Sequence, residues 1–234
     1  FAWSLDVPFF SLLRLHVAWG LIGWVGLLII GVSFQVVPMF QVTPVYPVRI
    51  SRWLTWVMFA LLAAWSAASA SAPDASDWYG ALLSISIAAG LATFGLASLH
   101  LLWKRKRPVP DPTTLFWRIG MSCLLLCAAA WVTGELAPRI AAEPAYPLLL
   151  GVLFIAGFAY SIVNGMLYKI VPFLVWYHLQ SRMQKGQGKA PNVKKIIDDS
   201  VVRHQCVAHA VALALLLAAV FWPQLFARPA GAAF

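Results

Sequence analysis

The residue type in this chain best suited to hold a metal or a macrocycle is histidine. Five histidines occur among 234 residues. His16 is followed by Gly20 and Gly23, which on an α-helix places its imidazole above a stripe without side chains. An imidazole can ligate iron, and such a stripe leaves room for a flat ring, so the pattern predicts a haem-ligand helix. The alternative for His16 is an interfacial side chain that hydrogen-bonds a neighbouring helix.

Other residues extend this prediction in two directions. Arg14 lies two residues before His16, and we expect its guanidinium near a haem propionate. Elsewhere, His178, His204 and His209 surround one loop and form a second predicted metal or haem site. The last two are about 140° apart on an ideal helix, so they cannot easily bind one metal from the same helix face.

These residues lie in a chain whose composition is that of a membrane protein. Hydrophobic residues make up 62% and charged residues 11% of it, against about 25% charged residues in soluble domains. A membrane-spanning helix needs about 20 apolar residues. Six segments qualify, spans 1 to 6: 10–39, 53–71, 79–103, 115–133, 147–178 and 202–222. The sequence predicts one all-helical membrane domain over residues 1–234, with part of a longer chain as the alternative because residue 1 is not Met.

The charged residues predict the topology. The net charge is +9, and the basic residues between spans 1 and 2, 3 and 4, and 5 and 6 are Arg49, Arg52, Lys104, Arg105, Lys106, Arg107, Arg182, Lys185, Lys189, Lys194, Lys195 and Arg203. The other two loops hold Asp74, Asp77, Glu135, Arg139 and Glu143. The positive-inside rule predicts cytoplasmic basic loops in a bacterial inner membrane, with both chain ends outside. The expected partner is the lipid bilayer and not nucleic acid.

An internal repeat relates spans 1 and 5. Residues 31–40 and 165–174 share the frame Gly-x-x-aromatic-polar-(Val/Ile)-Val-Pro-apolar-apolar. A repeat offset by four helices suggests duplication of a multi-helix unit. Pro38 and Pro172 occupy the same place in the two copies, and each removes one backbone hydrogen bond, so a kink or a stop is expected there.

Span 5 has polar residues that span 1 lacks. Ser161, Asn164 and Tyr168 share one helix face, and Lys169 borders it. The equivalent residues of span 1 are Leu27, Ile30, Phe34 and Gln35. The polar face predicts a proton or ion path, or a polar cofactor contact. The alternative is hydrogen bonding that holds helices together.

The outer-end His16, the stretch Gly23-Trp-Val-Gly26 and the following Gly-x-x-aromatic-x-x-Val-Pro-Met-Phe together resemble the haem-copper oxidase subunit I superfamily. The closer likeness is to its small divergent relatives, which include NnrS-type membrane proteins. In that superfamily, four-helix units repeat, and outside-to-inside helices carry haem and copper ligands near their outer ends. The resemblance covers mainly spans 1 and 5. Only His16 matches a ligand position, since Leu150 stands at the corresponding place and no adjacent His-His pair occurs.

The resemblance implies a membrane protein of respiratory or nitric-oxide-related redox chemistry that binds haem b or, as the second choice, copper. A second hypothesis is a cofactor-free accessory subunit of a larger membrane enzyme complex, which predicts other membrane subunits as partners. A third is a small-molecule or metal permease with the polar face of span 5 along its path. Whether the chain is an enzyme stays open, because no soluble-enzyme motif such as a Walker loop or HExxH occurs.

Overall fold

The computed structural model describes residues 9–71, 78–106, 111–182 and 196–233. The predicted loop residues outside these ranges are Asp74, Asp77, Arg107, Lys185, Lys189, Lys194 and Lys195. Every regular element of the described ranges is a helix, and six of these helices are long and apolar enough to cross a membrane. The predicted all-helical class with six spans is therefore confirmed.

Two of the six spans combine three helical segments, and the other four are single helices. Span 1 consists of α1 (Phe9–Ala18), the π-helix π1 (Trp19–Gly26) and α2 (Leu27–Gln41). Spans 2 to 4 are α3 (Val48–Ser71), α4 (Trp78–Trp103) and α5 (Pro112–Leu136). The short α6 (Pro138–Ala141) precedes span 5, which consists of α7 (Ala145–Gly151), the π-helix π2 (Val152–Tyr160) and α8 (Ser161–Arg182). Span 6 is α9 (Asp199–Phe221), and α10 (Pro223–Ala233) packs against it.

Several helices are longer than predicted, and charged residues expected in loops lie inside them. Arg49 and Arg52 belong to the first turns of α3, Arg182 ends α8, and Arg203 lies in α9. Glu135, expected in an outer loop, lies in the last turn of α5. The side chains of Arg49, Arg52 and Arg203 are exposed, as expected where a helix end reaches the membrane surface and the charge stays in water.

The repeated prolines do not end their helices. Pro38 lies inside α2, and Pro172 lies inside α8. Of the two expected outcomes, a kink or a stop, the stop was wrong: α2 continues to Gln41 and α8 to Arg182. After α2 the chain turns at Val42, whose φ of 53° is left-handed, an uncommon conformation for a β-branched residue.

The two copies of the sequence repeat have the same helical geometry. The repeat pairs Trp19–Gly26 with residues 153–160, and π2 covers Val152–Tyr160. A π-helix has i→i+5 hydrogen bonds and is rare, so its occurrence at matching places is a structural likeness independent of the sequence frame. The two π-helices also meet, since a Cβ built on Gly26 would lie 3.6 Å from Phe154 Cζ.

The centre of the bundle is formed by spans 4 and 5. α5 packs against α4, π2, α8 and α9. In the most apolar stretch of spans 4 and 5, 44% of the residues are buried, compared with 11% in span 2. Span 2 is therefore peripheral. Large apolar side chains stay exposed on the outer surface, among them Trp24 and Trp56, as expected where lipid replaces water.

Candidate functional site

The predicted haem stripe begins on an open surface of span 1. His16, Arg14 and Gly20 are exposed. A Cβ built on Gly20 would meet no atom within 4 Å. Within the described part of the chain, the helix surface at Gly20 is therefore free, about one turn from the exposed His16.

Gly23 does not share this open surface. A Cβ at Gly23 would lie 2.8 Å from Trp19 Cε3 and 3.1 Å from Leu62 Cδ2 of α3. Trp19 is held there by its indole Nε1, which donates to Ser66 Oγ at 3.0 Å. The α-helical spacing that aligned His16 with Gly23 fails because π1 begins at Trp19 and its wider turns rotate the following residues.

The three histidines of the predicted metal site, His178, His204 and His209, do not form a metal-binding group. In the ranges that the structure describes, no group of three or more His, Cys, Asp or Glu side chains could hold a metal ion. His178 is exposed, with Nδ1 2.8 Å from the Leu174 carbonyl oxygen of its own helix. His204 is exposed, whereas His209 is buried in the bundle.

His209 instead meets the polar face of span 5. Its Nε2 lies 2.7 Å from Ser161 Oγ, and the exposed fractions are 4% for His209 and 0% for Ser161. The ring centroids of Phe116 and Tyr160 lie 5.9 Å and 5.3 Å from that of the imidazole. The pairing was missed in the sequence. A sequence signal for it existed. Val202, Cys206, His209 and Leu213 follow each other at helical spacing, which indicates one helix face, and this face is buried.

The other two residues of the predicted polar face, Tyr168 and Asn164, have different contacts. Tyr168 stacks on Phe116 at 6.1 Å, on the ring that also contacts His209. Asn164 donates from Nδ2 to the Tyr160 carbonyl oxygen of its own chain segment at 3.1 Å. Ser161 therefore contacts His209 directly, Tyr168 is linked to it only through the Phe116 ring, and Asn164 bonds within its own segment.

Lys169 forms an ion pair with Asp111, directly before α5. The other carboxylate oxygen of Asp111 accepts from the Thr113 backbone N–H at 3.0 Å and from Thr113 Oγ1 at 2.7 Å, which caps α5. Burial alone raises the pKa of Asp111, but the hydrogen bonds from Lys169 and Thr113 and the Lys169 charge outweigh it and hold the pKa below its usual value.

Gln41 extends this ion pair to span 1. Its side chain is fully buried. Nε2 donates to Thr113 Oγ1 at 3.1 Å, and Oε1 accepts from Thr114 Oγ1 at 2.8 Å. The Gln41 carbonyl accepts from Arg105 Nε at 3.0 Å. We call Gln41, Arg105, Asp111, Thr113, Thr114 and Lys169 the basic-end network. It ties spans 1, 4 and 5 at the end where the basic loops lie.

Tyr46 fixes the loop between spans 1 and 2. Its hydroxyl lies 2.8 Å from Ser98 Oγ of α4, and its ring stacks on Phe94. Burial raises the pKa of Tyr46 to about 12, although the Ser98 hydrogen bond opposes the shift. The phenol therefore stays neutral and acts as a hydrogen-bonding anchor.

The opposite end of α5 carries a second polar group. Ser84 Oγ donates to Glu135 Oε1 at 2.6 Å, and Trp131 Nε1 donates to Ser84 Oγ at 2.6 Å. These contacts join α4 and α5. Glu135, which the sequence analysis predicted in a loop, therefore links α4 and α5 through hydrogen bonds.

No known protein family model, curated protein or solved structure matches the chain. Its class therefore follows from its fold. The chain is a multi-pass helical membrane protein with six apolar spans, two of which share an α–π–α pattern.

Proposed function

We propose that the protein is a redox-associated membrane protein of haem-copper-oxidase-like type, with His16 as ligand of a haem b. The observation that carries the proposal is the exposed His16 beside Gly20, where an added Cβ would meet nothing within 4 Å. A bound haem supplies one-electron transfer. We infer from the positive-inside rule that the basic loops face the cytoplasm of a bacterial inner membrane.

The residues of span 1 could bind a haem from one side. His16 offers an imidazole, Gly20 leaves space beside it, and Arg14 is exposed two residues away, suited to a propionate. Gly23 takes no part in this fit, because Trp19 and Leu62 fill the space beside it. We infer that any haem lies toward the α1 part of the span and is completed by a neighbouring subunit.

A second candidate is a cofactor-free accessory subunit of a larger membrane complex. The packing at Gly23 favours it, because the glycine serves close approach of α3 and needs no ligand to explain it. The exposed surface of span 1 then contacts another membrane subunit. This candidate predicts a colourless protein that co-purifies with a partner.

Optical spectra distinguish the two candidates. The purified protein is measured oxidised and dithionite-reduced, with metal analysis of the same sample. The first candidate predicts a haem b signal of about one per chain, lost in His16→Ala. The matched control is His204→Ala, an exposed histidine of span 6, and should keep the signal. A colourless, metal-free wild type would contradict haem binding and favour the accessory subunit.

A further inference from the structure

We propose that the buried Ser161–His209 pair is a proton-binding site inside the membrane, at which His209 takes up and releases the proton. Its Nε2 lies 2.7 Å from Ser161 Oγ. The inference is independent of the haem proposal, because His16 lies in a different span.

The pair lies deep in the apolar layer by two separate helix counts. At 1.5 Å per residue, Ser161 is about 12 Å along α8 from Lys169, which is paired with Asp111 at the start of α5. By the same rise, His209 is about 15 Å from Asp199, where α9 begins. The hydrocarbon layer is about 30 Å thick, so both counts place the pair near its middle.

Hydrogen-bond satisfaction of Ser161 does not require a histidine. Ser33, Ser66 and Ser98 each donate to the backbone carbonyl four residues earlier, at 2.5 to 2.7 Å. Ser161 follows π2 directly and pairs with His209 instead. Because these three serines are satisfied by their own helices, the hydrogen bonding of Ser161 does not by itself explain a histidine at this depth, and ionisable residues inside membranes are typically functional.

The repeat gives a second argument against a purely structural role. Span 1 has the same α–π–α pattern as span 5, yet Leu27 stands at the position of Ser161. The pattern therefore forms without a polar residue after its π-helix. The helical geometry of span 5 therefore does not by itself require the Ser161–His209 pair.

The side chains around His209 leave it as the buried group that can change its charge near neutral pH. On π2 and α8 the titratable side chains beside His209 are Tyr160 and, across Phe116, Tyr168. The other titratable groups of α5, α7, α9 and α10 fall into three sets. Cys206, Cys123 and Cys127 are buried thiols. Glu135 is half-buried and accepts from Ser84, and the Tyr146 hydroxyl donates to α5 carbonyls. The exposed groups are Arg118, Asp199, Arg203, His204 and Arg228. The Asp111–Lys169 pair balances its own charge nearer the basic end. Histidine is the side chain among these whose charge normally changes near neutral pH.

The chemistry is proton binding alone. A neutral imidazole has one N–H and one acceptor nitrogen, and a protonated imidazole donates from both nitrogens. Ser161 Oγ can donate to a bare Nε2 or accept from Nε2–H, because a hydroxyl rotates to do either. The serine thus stays hydrogen-bonded in both protonation states of His209.

The test is a histidine titration by solid-state NMR of the full chain in liposomes, with ¹⁵N-labelled histidine. His209→Gln keeps a hydrogen-bonding side chain and removes the titrating ring, so the lost signals identify His209. We expect these signals in the wild type to convert reversibly from neutral to charged between about pH 5 and 8. Ser161→Ala should move the midpoint by about one pH unit or more, and His204→Gln should leave it unchanged.

Two results would overturn the proposal. In one, the His209 signals stay neutral down to the lowest pH at which circular dichroism shows an intact helical fold. In the other, His209 becomes charged only as the protein unfolds. If His209→Gln fails to fold, Ser161→Ala identifies the signals by their shift. A colourless protein whose His209 titrates would sink the haem proposal and leave this one standing.

Discussion

Spans 1 and 5 have the same succession of helices but different surroundings. In the most apolar stretch, 28% of the residues are buried in span 1 and 44% in span 5. At one equivalent pair, a Cβ on Gly31 would meet nothing within 4 Å, whereas a Cβ on Gly165 would lie 2.8 Å from Phe116 Cβ. The same backbone pattern therefore serves a lipid-facing helix in one copy and a central helix in the other.

Polar residues follow the same division. Gln35 of span 1 is exposed, while the equivalent Lys169 of span 5 pairs with Asp111. Leu27 is replaced by Ser161, which meets His209. Polar side chains are therefore concentrated where neighbouring helices can hydrogen-bond them, because an unpaired polar group costs free energy away from water.

The largest expected effect comes from breaking the ion pair of span 5. Lys169→Met leaves the Asp111 carboxylate, whose side chain is 9% exposed, without its cation. We expect a loss of about 2 kcal/mol in unfolding free energy, the range of a hydrogen bond to a charged group, measured as a lower thermal midpoint in detergent by tryptophan fluorescence. Gln35→Met, at the equivalent exposed position of span 1, is the matched control and should change little. Equal losses in the two variants would contradict the comparison.

Substitution of the equivalent glycines, Gly31 and Gly165, should give a smaller difference in stability between the two spans. Gly165→Ala forces Phe116 to shift, and we expect a net loss of about 1 kcal/mol after the gain in helix propensity. Gly31→Ala has open space and should be neutral or slightly stabilising. Thermal unfolding of both variants in one detergent checks this. A destabilised Gly31→Ala would show that span 1 is covered after all.

The smallest effect is the acid dependence of the basic-end network. Because the folded-state pKa of Asp111 is below the free value of 3.8, its contribution to stability is complete above that value and is lost as pH falls through the folded pKa. The difference in thermal midpoint between wild type and Asp111→Asn should therefore shrink below about pH 4. Asp198→Asn, an exposed aspartate before α9, is the control. A constant difference down to pH 3 would contradict the assignment.

The hydrophobic runs were enough to predict the six spans, because each run comes close to or exceeds the roughly 20 residues that crossing a membrane requires. Their ends were less predictable. α5 starts at Pro112 because Asp111 caps it, and the same aspartate then receives Lys169 from span 5. A cap can be guessed from local sequence, but a partner 58 residues away cannot.

The candidate sites show the same limit. The face of Ser161 and Tyr168 was found from helical spacing, because α8 is a regular α-helix. The prediction that Gly23 shares the open face of His16 was wrong, because π1 changes the number of residues per turn between the two residues. Spacing rules assume one helix type, and the sequence pattern did not reveal where that type changes.

The all-helical class, the six apolar spans and the repeated motif of spans 1 and 5 could be read from the sequence alone, because length and hydropathy are local properties. Three features required the tertiary structure: which copy lies at the centre, the link from Gln41 through Thr113 to Asp111, and the pairing of His209 with Ser161 instead of with other histidines. These contacts depend on how helices distant in sequence pack against each other. In a bundle where core and lipid are equally apolar, hydrophobicity alone does not specify that packing.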